Sequence, residues 1–318
     1  MRGWCRLQRI RPNIQDPARH AVEFHKLGIV GGGSMGKSIA HKVASSGIDV
    51  VVLELSAEHV QRAQAGLGES LDRELAKWGI TVGEKRAILS RVRFTAEPED
   101  LAGTDLVIET VNEDLATKQQ VMRTLCVVCP GDRIFITNTS TLSITEIAAA
   151  ADRPGRVVGI HFMYPVTQSP IVEVVRGAET SEPSFQAALE LARALDKQVI
   201  EVFEYPGYVV TRTMVPFLNE AMHIVMEGVS RAGDVDRALR LGYEFKMGPL
   251  EYCDRVGLDK VLGWMDHLWR ELGDAKYRPC PILRKLVRAG HLGRKCGRGF
   301  FRWENGQRSP DAEAGVTT

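Results

Sequence analysis

Leu27-Gly28-Ile29-Val30-Gly31-Gly32-Gly33-Ser34-Met35-Gly36-Lys37-Ser38-Ile39-Ala40-His41-Lys42-Val43-Ala44 is the stretch on which the fold turns. A short apolar run leads into G-x-G-x-x-G at 31–36, and helical spacing of apolar residues follows. Strand, glycine turn and helix in that order give the motif its meaning. Gly31 permits the tight turn, Gly33 removes the side chain that would block a pyrophosphate, and Gly36 lets helix and strand pack closely. Ser34 and Met35 lie between them at the helix N-terminus, where free N–H groups meet phosphate charge. A second apolar run, Val50-Val51-Val52-Leu53, ends at Glu54, about twenty residues beyond the first glycine. An acid there accepts hydrogen bonds from the adenosine ribose hydroxyls and repels a 2′-phosphate. Leu55, Ser56 and Ala57 bring no cation, so NAD is favoured over NADP.

Outward from this unit, strand-like runs recur at 106–108, 134–136, 157–160, 171–175 and 199–202, and helical stretches separate most of them. Such alternation predicts an α/β domain with a largely parallel sheet covered on both faces, a Rossmann-type fold. The gap between Ile160 and Ile171 is too short for a crossover helix and predicts a hairpin or sharp loop, with a local departure from parallel order. Beyond Pro206-Gly207 the strand pattern stops and helical stretches take over, from Val209 to Gly228 and then near 235–241, 250–269 and 282–289. The expected organisation is a disordered or extra segment over 1–25, a cofactor domain over 26–205, an all-helical C-terminal domain over 206–303 and a loose tail over 304–318.

Composition narrows the function classes. At about 150 residues per domain, 318 residues suggest two domains. The hydrophobic fraction of 44% and charged fraction of 25% are ordinary for a globular chain and exclude wholesale disorder. A net charge of +1 provides no field to steer polyanions, which argues against nucleic acid as a partner. No run is long and apolar enough for a membrane span. Six cysteines are too sparse for a disulfide scaffold and point to the reducing cytoplasm. Cys126 and Cys129 have C-x-x-C spacing but no second pair or nearby His, so no metal site is expected and a buried structural pair is the better reading. The basic run at 294–299, followed by Phe300 and Phe301, reads as a glycine-rich closing loop that packs its aromatics.

With a nicotinamide cofactor as hydride acceptor, the chain must add a base for a hydroxyl proton and a donor for the carbonyl oxygen that forms. Ser140 follows the strand at 134–136, His161 follows the run at 157–160, and Glu173 sits twelve residues on in the next strand. These are strand ends, where open α/β sheets bind ligands, and the intervening loop can bring carboxylate and imidazole together. A carboxylate beside a His fixes its tautomer and stabilises the imidazolium.

In these features the sequence resembles the 3-hydroxyacyl-CoA dehydrogenase family over residues 25–303. Besides GGGSMG, the likeness lies in IETVNEDLATKQ at 108–119, NTSTLSIT at 138–145, RVVGIHF at 156–162, PIVEVVRG at 170–177, PGYVVTR at 206–212, MGPLE at 247–251 and GRKCGRGFF at 293–301. The resemblance implies that Ser140 binds the substrate oxygen, His161 is the base and Glu173 orients it. It further implies that Glu113, Lys118 and Lys295 lie near the cofactor, that the substrate is an acyl thioester of CoA, and that the helical domain forms a homodimer. A cytoplasmic enzyme of fatty acid metabolism is the corresponding expectation.

Two departures bear on substrate. Where the family usually reads HFFNPV this chain reads His161-Phe162-Met163-Tyr164-Pro165-Val166, so Tyr164 replaces an Asn on the nicotinamide side. Where it usually reads PGFIVNR this chain has Thr211, which keeps a hydroxyl at the substrate-binding position but loses a carboxamide and some reach. They leave open a substrate-shifted relative acting on a carrier-protein thioester, a free 3-hydroxy acid or an aromatic alcohol. A non-catalytic NAD-binding structural protein is the further alternative.

Overall fold

The computed structural model describes residues 23–129 and 131–313, so the expected N-terminal segment lies, up to residue 22, outside the described residues. The chain runs β1 (Lys26–Val30), α1 (Ser34–Ser45), β2 (Asp49–Leu53), α2 (Ala57–Ala76), α3 (Val82–Arg91), β3 (Val92–Thr95), β4 (Leu106–Glu109), α4 (Leu115–Val128) and β5 (Ile134–Thr137). It continues with α5 (Ile144–Ala148), β6 (Val157–Phe162), β7 (Ile171–Arg176), α6 (Glu182–Ala194) and β8 (Gln198–Phe203). Then come α7 (Val210–Met226), α8 (Ala232–Gly242), α9 (Pro249–Val256), α10 (Leu258–Leu272), α11 (Pro281–Arg288), β9 (Phe301–Glu304) and β10 (Gln307–Glu313).

Eight strands form one sheet in the order β3-β2-β1-β4-β5-β6-β7-β8. From β1 the chain builds outward through β2 and β3, then crosses back to place β4 on the other side. That reversal opens a crevice beyond the C-terminal ends of β1 and β4, the place where such sheets bind ligands. Strand residues alternate between two apolar layers. Val50 and Val52 join the layer with α1 and α6, while Val51 and Leu53 join the layer with α4 and α5. Burial on both faces explains why these runs read as continuously apolar rather than alternating.

As the short gap predicts, β6 and β7 are antiparallel, the one antiparallel pair of this sheet. The strand β3 and helix α3 have no counterpart in the sequence reading. Their signal is nonetheless present: Thr81 and Glu84 form a reciprocal capping box that starts α3.

The helical domain closes on its own core, with Leu218 and Met222 of α7 against Leu250, Leu258, Met265, Leu283 and the aromatics Phe300, Phe301 and Trp303. Here one expectation is corrected. Residues 304–313 are not a loose tail, because β10 pairs antiparallel with β9 in register Gln307↔Glu304 and Arg308↔Trp303. The turn is Asn305-Gly306, both with positive φ, the pair a two-residue hairpin requires. Its flanking polar residues hid the strand, while the stabilising contacts are long-range. Arg308 stacks 3.5 Å over the Phe301 ring and reaches Glu251 at 3.4 Å.

Candidate active site

The glycine turn has the shape a pyrophosphate needs. Gly31 takes φ of 94°, and a Cβ on Gly36 would collide with the Gly31 carbonyl, so each must stay bare. A Cβ on Gly33 meets nothing: the space it would fill opens outward, at the start of α1, where no side chain caps the free N–H groups. Gly33 and Ser34 are exposed and Met35 half-buried on that rim. Glu54 stands at the end of β2, and its Oε1 accepts the Gly32 N–H at 2.6 Å. The residues present thus fit a dinucleotide.

The sheet itself assembles the second cluster. In the β6–β7 register His161 lies directly opposite Glu173, and His161 Nδ1 is 2.6 Å from Glu173 Oε2. Since a carboxylate can only accept, Nδ1 carries the proton and Nε2 is left as the acceptor. Glu173 is 0% exposed and His161 7%. A carboxylate so deeply buried requires full pairing, and its other oxygen receives it from the helical domain: Oε1 accepts the Val209 and Val210 N–H groups at 2.8 and 2.9 Å, at the N-terminus of α7. Thr211 follows one residue later, buried in the first turn of that helix.

Ser140 sits in the loop after β5. Its N–H donates to Glu113 Oε1 at 2.8 Å, and the same oxygen accepts Thr139 Oγ1 at 2.6 Å and Thr141 N–H at 3.2 Å. Glu113 therefore organises the loop backbone while leaving the Ser140 hydroxyl without a protein partner among the described residues. Asn138, two residues before Ser140, ties this loop to β6, because its Oδ1 accepts the Phe162 N–H at 3.1 Å, next to His161.

Beneath the loop is an ion pair that sequence reasoning missed in part. Lys118 is 0% exposed; its ammonium donates to both oxygens of Glu109, at 2.8 and 3.0 Å, and to the Asn138 carbonyl at 2.9 Å. Glu109 further accepts Thr137 Oγ1 and the Val111 N–H, each at 2.7 Å. Burial pushes the Glu109 carboxyl up, and the Lys118 charge opposes that. All three ammonium hydrogens of Lys118 have acceptors inside the protein, so it supports the loop from below. Glu109 ends an apolar strand, and an acid closing such a run was the one available signal.

Tyr164 and Lys295 are placed differently. Tyr164 is 58% exposed in the loop after β6, and that loop is anchored to α1 where Val166 N–H donates to Ser38 Oγ at 2.9 Å. The structure does not bring Lys295 into either cluster; its ammonium pairs with Asp259 at 2.5 Å inside the helical domain. Cys126 and Cys129 are free thiols, half-buried and buried, and burial pushes Cys126 up to about 11. No group of metal-ligating side chains occurs among the described residues.

A Rossmann-type domain with an acid-terminated second strand, joined to a helical domain, defines an NAD-dependent dehydrogenase. Residues 26–205 match the NAD-binding domain of 3-hydroxyacyl-CoA dehydrogenase and residues 207–303 match that enzyme's C-terminal domain. The chain belongs to the 3-hydroxyacyl-CoA dehydrogenase family. It is 41% identical over 290 residues to the 3-hydroxybutyryl-CoA dehydrogenase of Bradyrhizobium diazoefficiens, covering 91% of this chain and 99% of that one. It is 40% identical over 283 residues to a probable 3-hydroxybutyryl-CoA dehydrogenase of Bacillus subtilis, covering 89% and 99%. Among solved structures, FadB2 of M. tuberculosis superposes with a TM-score of 0.86 at 35% identity, covering 88% of this chain and 99% of that one. The (S)-3-hydroxybutyryl-CoA dehydrogenase PaaH1 of Ralstonia eutropha gives 0.81 at 37%, covering 89% and 100%.

Proposed function

We propose that this protein interconverts a 3-hydroxyacyl-CoA thioester and its 3-oxoacyl form, with His161 as general base. The observation that carries the reading is the buried His161–Glu173 pair at 2.6 Å, beside a Ser140 loop tied to the same strand. Bound NAD supplies the hydride acceptor. The glycine turn and Glu54 would hold its adenosine and pyrophosphate, and Glu113 and Tyr164 would contact its nicotinamide half. His161 Nε2 takes the hydroxyl proton as hydride leaves C3, so the C–O single bond becomes a carbonyl. Ser140 Oγ donates to that oxygen. Glu173 fixes the tautomer and stabilises the imidazolium, and Thr211 contacts the substrate from α7. Lys118 acts from below, through Asn138.

The test follows NADH absorbance with acetoacetyl-CoA, with NADPH and His161→Ala in parallel. Turnover with NADH that falls at least about a hundredfold in the variant, while NADH still binds, is the expected result. A fully active His161→Ala variant overturns the assignment of the base.

Thr211 and Tyr164 favour a second reading, in which the same chemistry serves a carrier-protein thioester or a free 3-hydroxy acid. Silence toward acetoacetyl-CoA with NADH bound, followed by turnover of such a substrate, selects it. The same proposal includes a cytoplasmic homodimer formed through the helical domain. It is supported there by the exposed apolar side chains Val229, Leu241, Tyr243 and Phe245 on and around α8. Light scattering during size-exclusion chromatography reads the dimer directly.

A further inference from the structure

The turn that enters the helical domain contains an unusual residue. Gly207 and Tyr208 both have positive φ, 79° and 51°, and for a bulky residue such as tyrosine that conformation is strained unless its surroundings hold it. Tyr208 is buried, its ring centroid 5.9 Å from that of the His161 imidazole. Its hydroxyl donates to the Leu142 carbonyl at 2.9 Å, in the loop that carries Ser140. The two residues that follow donate their N–H groups to Glu173. One turn of backbone therefore reaches both the carboxylate that pairs with His161, through Val209 and Val210, and the Ser140 loop, through Tyr208.

We propose that Tyr208 is a positioning residue whose phenol spans from the imidazole to the Leu142 carbonyl and holds the Ser140 loop in register with His161. The ring fixes one side of the imidazole, and the hydroxyl sets how far the loop stands from it. A phenylalanine here fills the same volume and keeps the ring contact but drops the tether, which leaves a buried carbonyl without its donor. The kinetic part of the proposal rests on the dehydrogenase reading above; the tether does not.

Tyr208→Phe separates the two. Hydrogen–deuterium exchange of the 138–148 peptide should quicken about tenfold in the variant, with the thermal midpoint shifted by only a few degrees. With acetoacetyl-CoA and NADH, kcat should fall about fivefold to tenfold while KM for NADH stays constant. In a Ser140→Ala background the same substitution should cost almost nothing, since the group it positions is gone. Unchanged exchange overturns the tether. An equal loss in both backgrounds overturns the positioning role and leaves Tyr208 as packing. Wild-type protein that binds NADH but ignores acetoacetyl-CoA overturns the substrate reading alone, and the exchange result still decides the tether.

Discussion

Glu54 Oε1 and the Gly32 N–H are 2.6 Å apart, so the acid at the end of β2 holds the glycine turn in addition to the ribose contact proposed for it. Glu54→Ala should therefore weaken NADH binding by more than one lost ribose contact. We expect about 2–3 kcal/mol, or roughly thirtyfold to more than a hundredfold in Kd, the worth of hydrogen bonds to a charged group. Fluorescence titration with NADH measures it, and an unchanged Kd would move the adenosine site elsewhere.

Glu173→Gln keeps the size of the side chain but removes the charge that faces the imidazolium. With the carboxamide oxygen kept on the Val209 and Val210 N–H groups, its NH2 faces His161 Nδ1 and favours the tautomer that puts the proton on Nε2, so kcat should drop by about two to four orders of magnitude while NADH binding persists. Steady-state rates with a parallel NADH titration check both halves.

The pair Lys118–Glu109 is fully buried, so removing one partner strands a charge. Lys118→Met should cost about 3–5 kcal/mol of stability, and adding Glu109→Leu should recover most of it. Urea unfolding of the single and double variants reads the difference. If the double variant is no more stable than Lys118→Met, the cost arises instead from the hydrogen bonds the pair makes to Asn138, Thr137 and Val111.

Thr211→Asn tests the departure on α7. If the substrate is an acyl-CoA, the restored carboxamide should raise kcat/KM for acetoacetyl-CoA by roughly fivefold to more than a hundredfold, equivalent to about 1–3 kcal/mol. A fall, accompanied by activity on a free 3-hydroxy acid, assigns Thr211 to a different substrate.

Asp236 provides a pH signature. Burial pushes its carboxyl up to about 6, against the Leu250 and Glu251 N–H groups that pull it down. Because the folded value lies above the ordinary one near 4, the stabilising contribution is complete below about pH 4 and is lost as pH rises through 6. Relative to Asp236→Asn, the wild type should gain up to about 2–3 kcal/mol between pH 7.5 and pH 4. Urea unfolding across that range decides it, and a flat difference rejects it.

Much of this arrangement was legible in the residues themselves. The glycine turn, Glu54 and the apolar strands are local patterns, and the short 160–171 gap sufficed for the antiparallel pair that sets His161 opposite Glu173. What escaped depends on contacts far apart in sequence. Glu109 reads as the end of a strand until Lys118 and Thr137 close on it, and Tyr208 reads as one more aromatic near a glycine until its hydroxyl meets Leu142. The β9–β10 hairpin was obscured by polar flanks, although Asn305-Gly306 announced the turn. For Lys295 the motif match suggested a place near the cofactor, and the fold pairs its ammonium with Asp259 of the helical domain.

The antiparallel pairing of β6 with β7 also orders events in time. His161 and Glu173 meet across a single hairpin, so their contact can form as soon as that stretch of chain leaves the ribosome. The second oxygen of Glu173 has to wait for residues 209 and 210, which emerge later and belong to the other domain. Until they dock, the nascent domain carries a half-satisfied acid at its heart. Docking of the second domain completes the pairing of Glu173, so a chain that has lost that domain should be not only inactive but less stable.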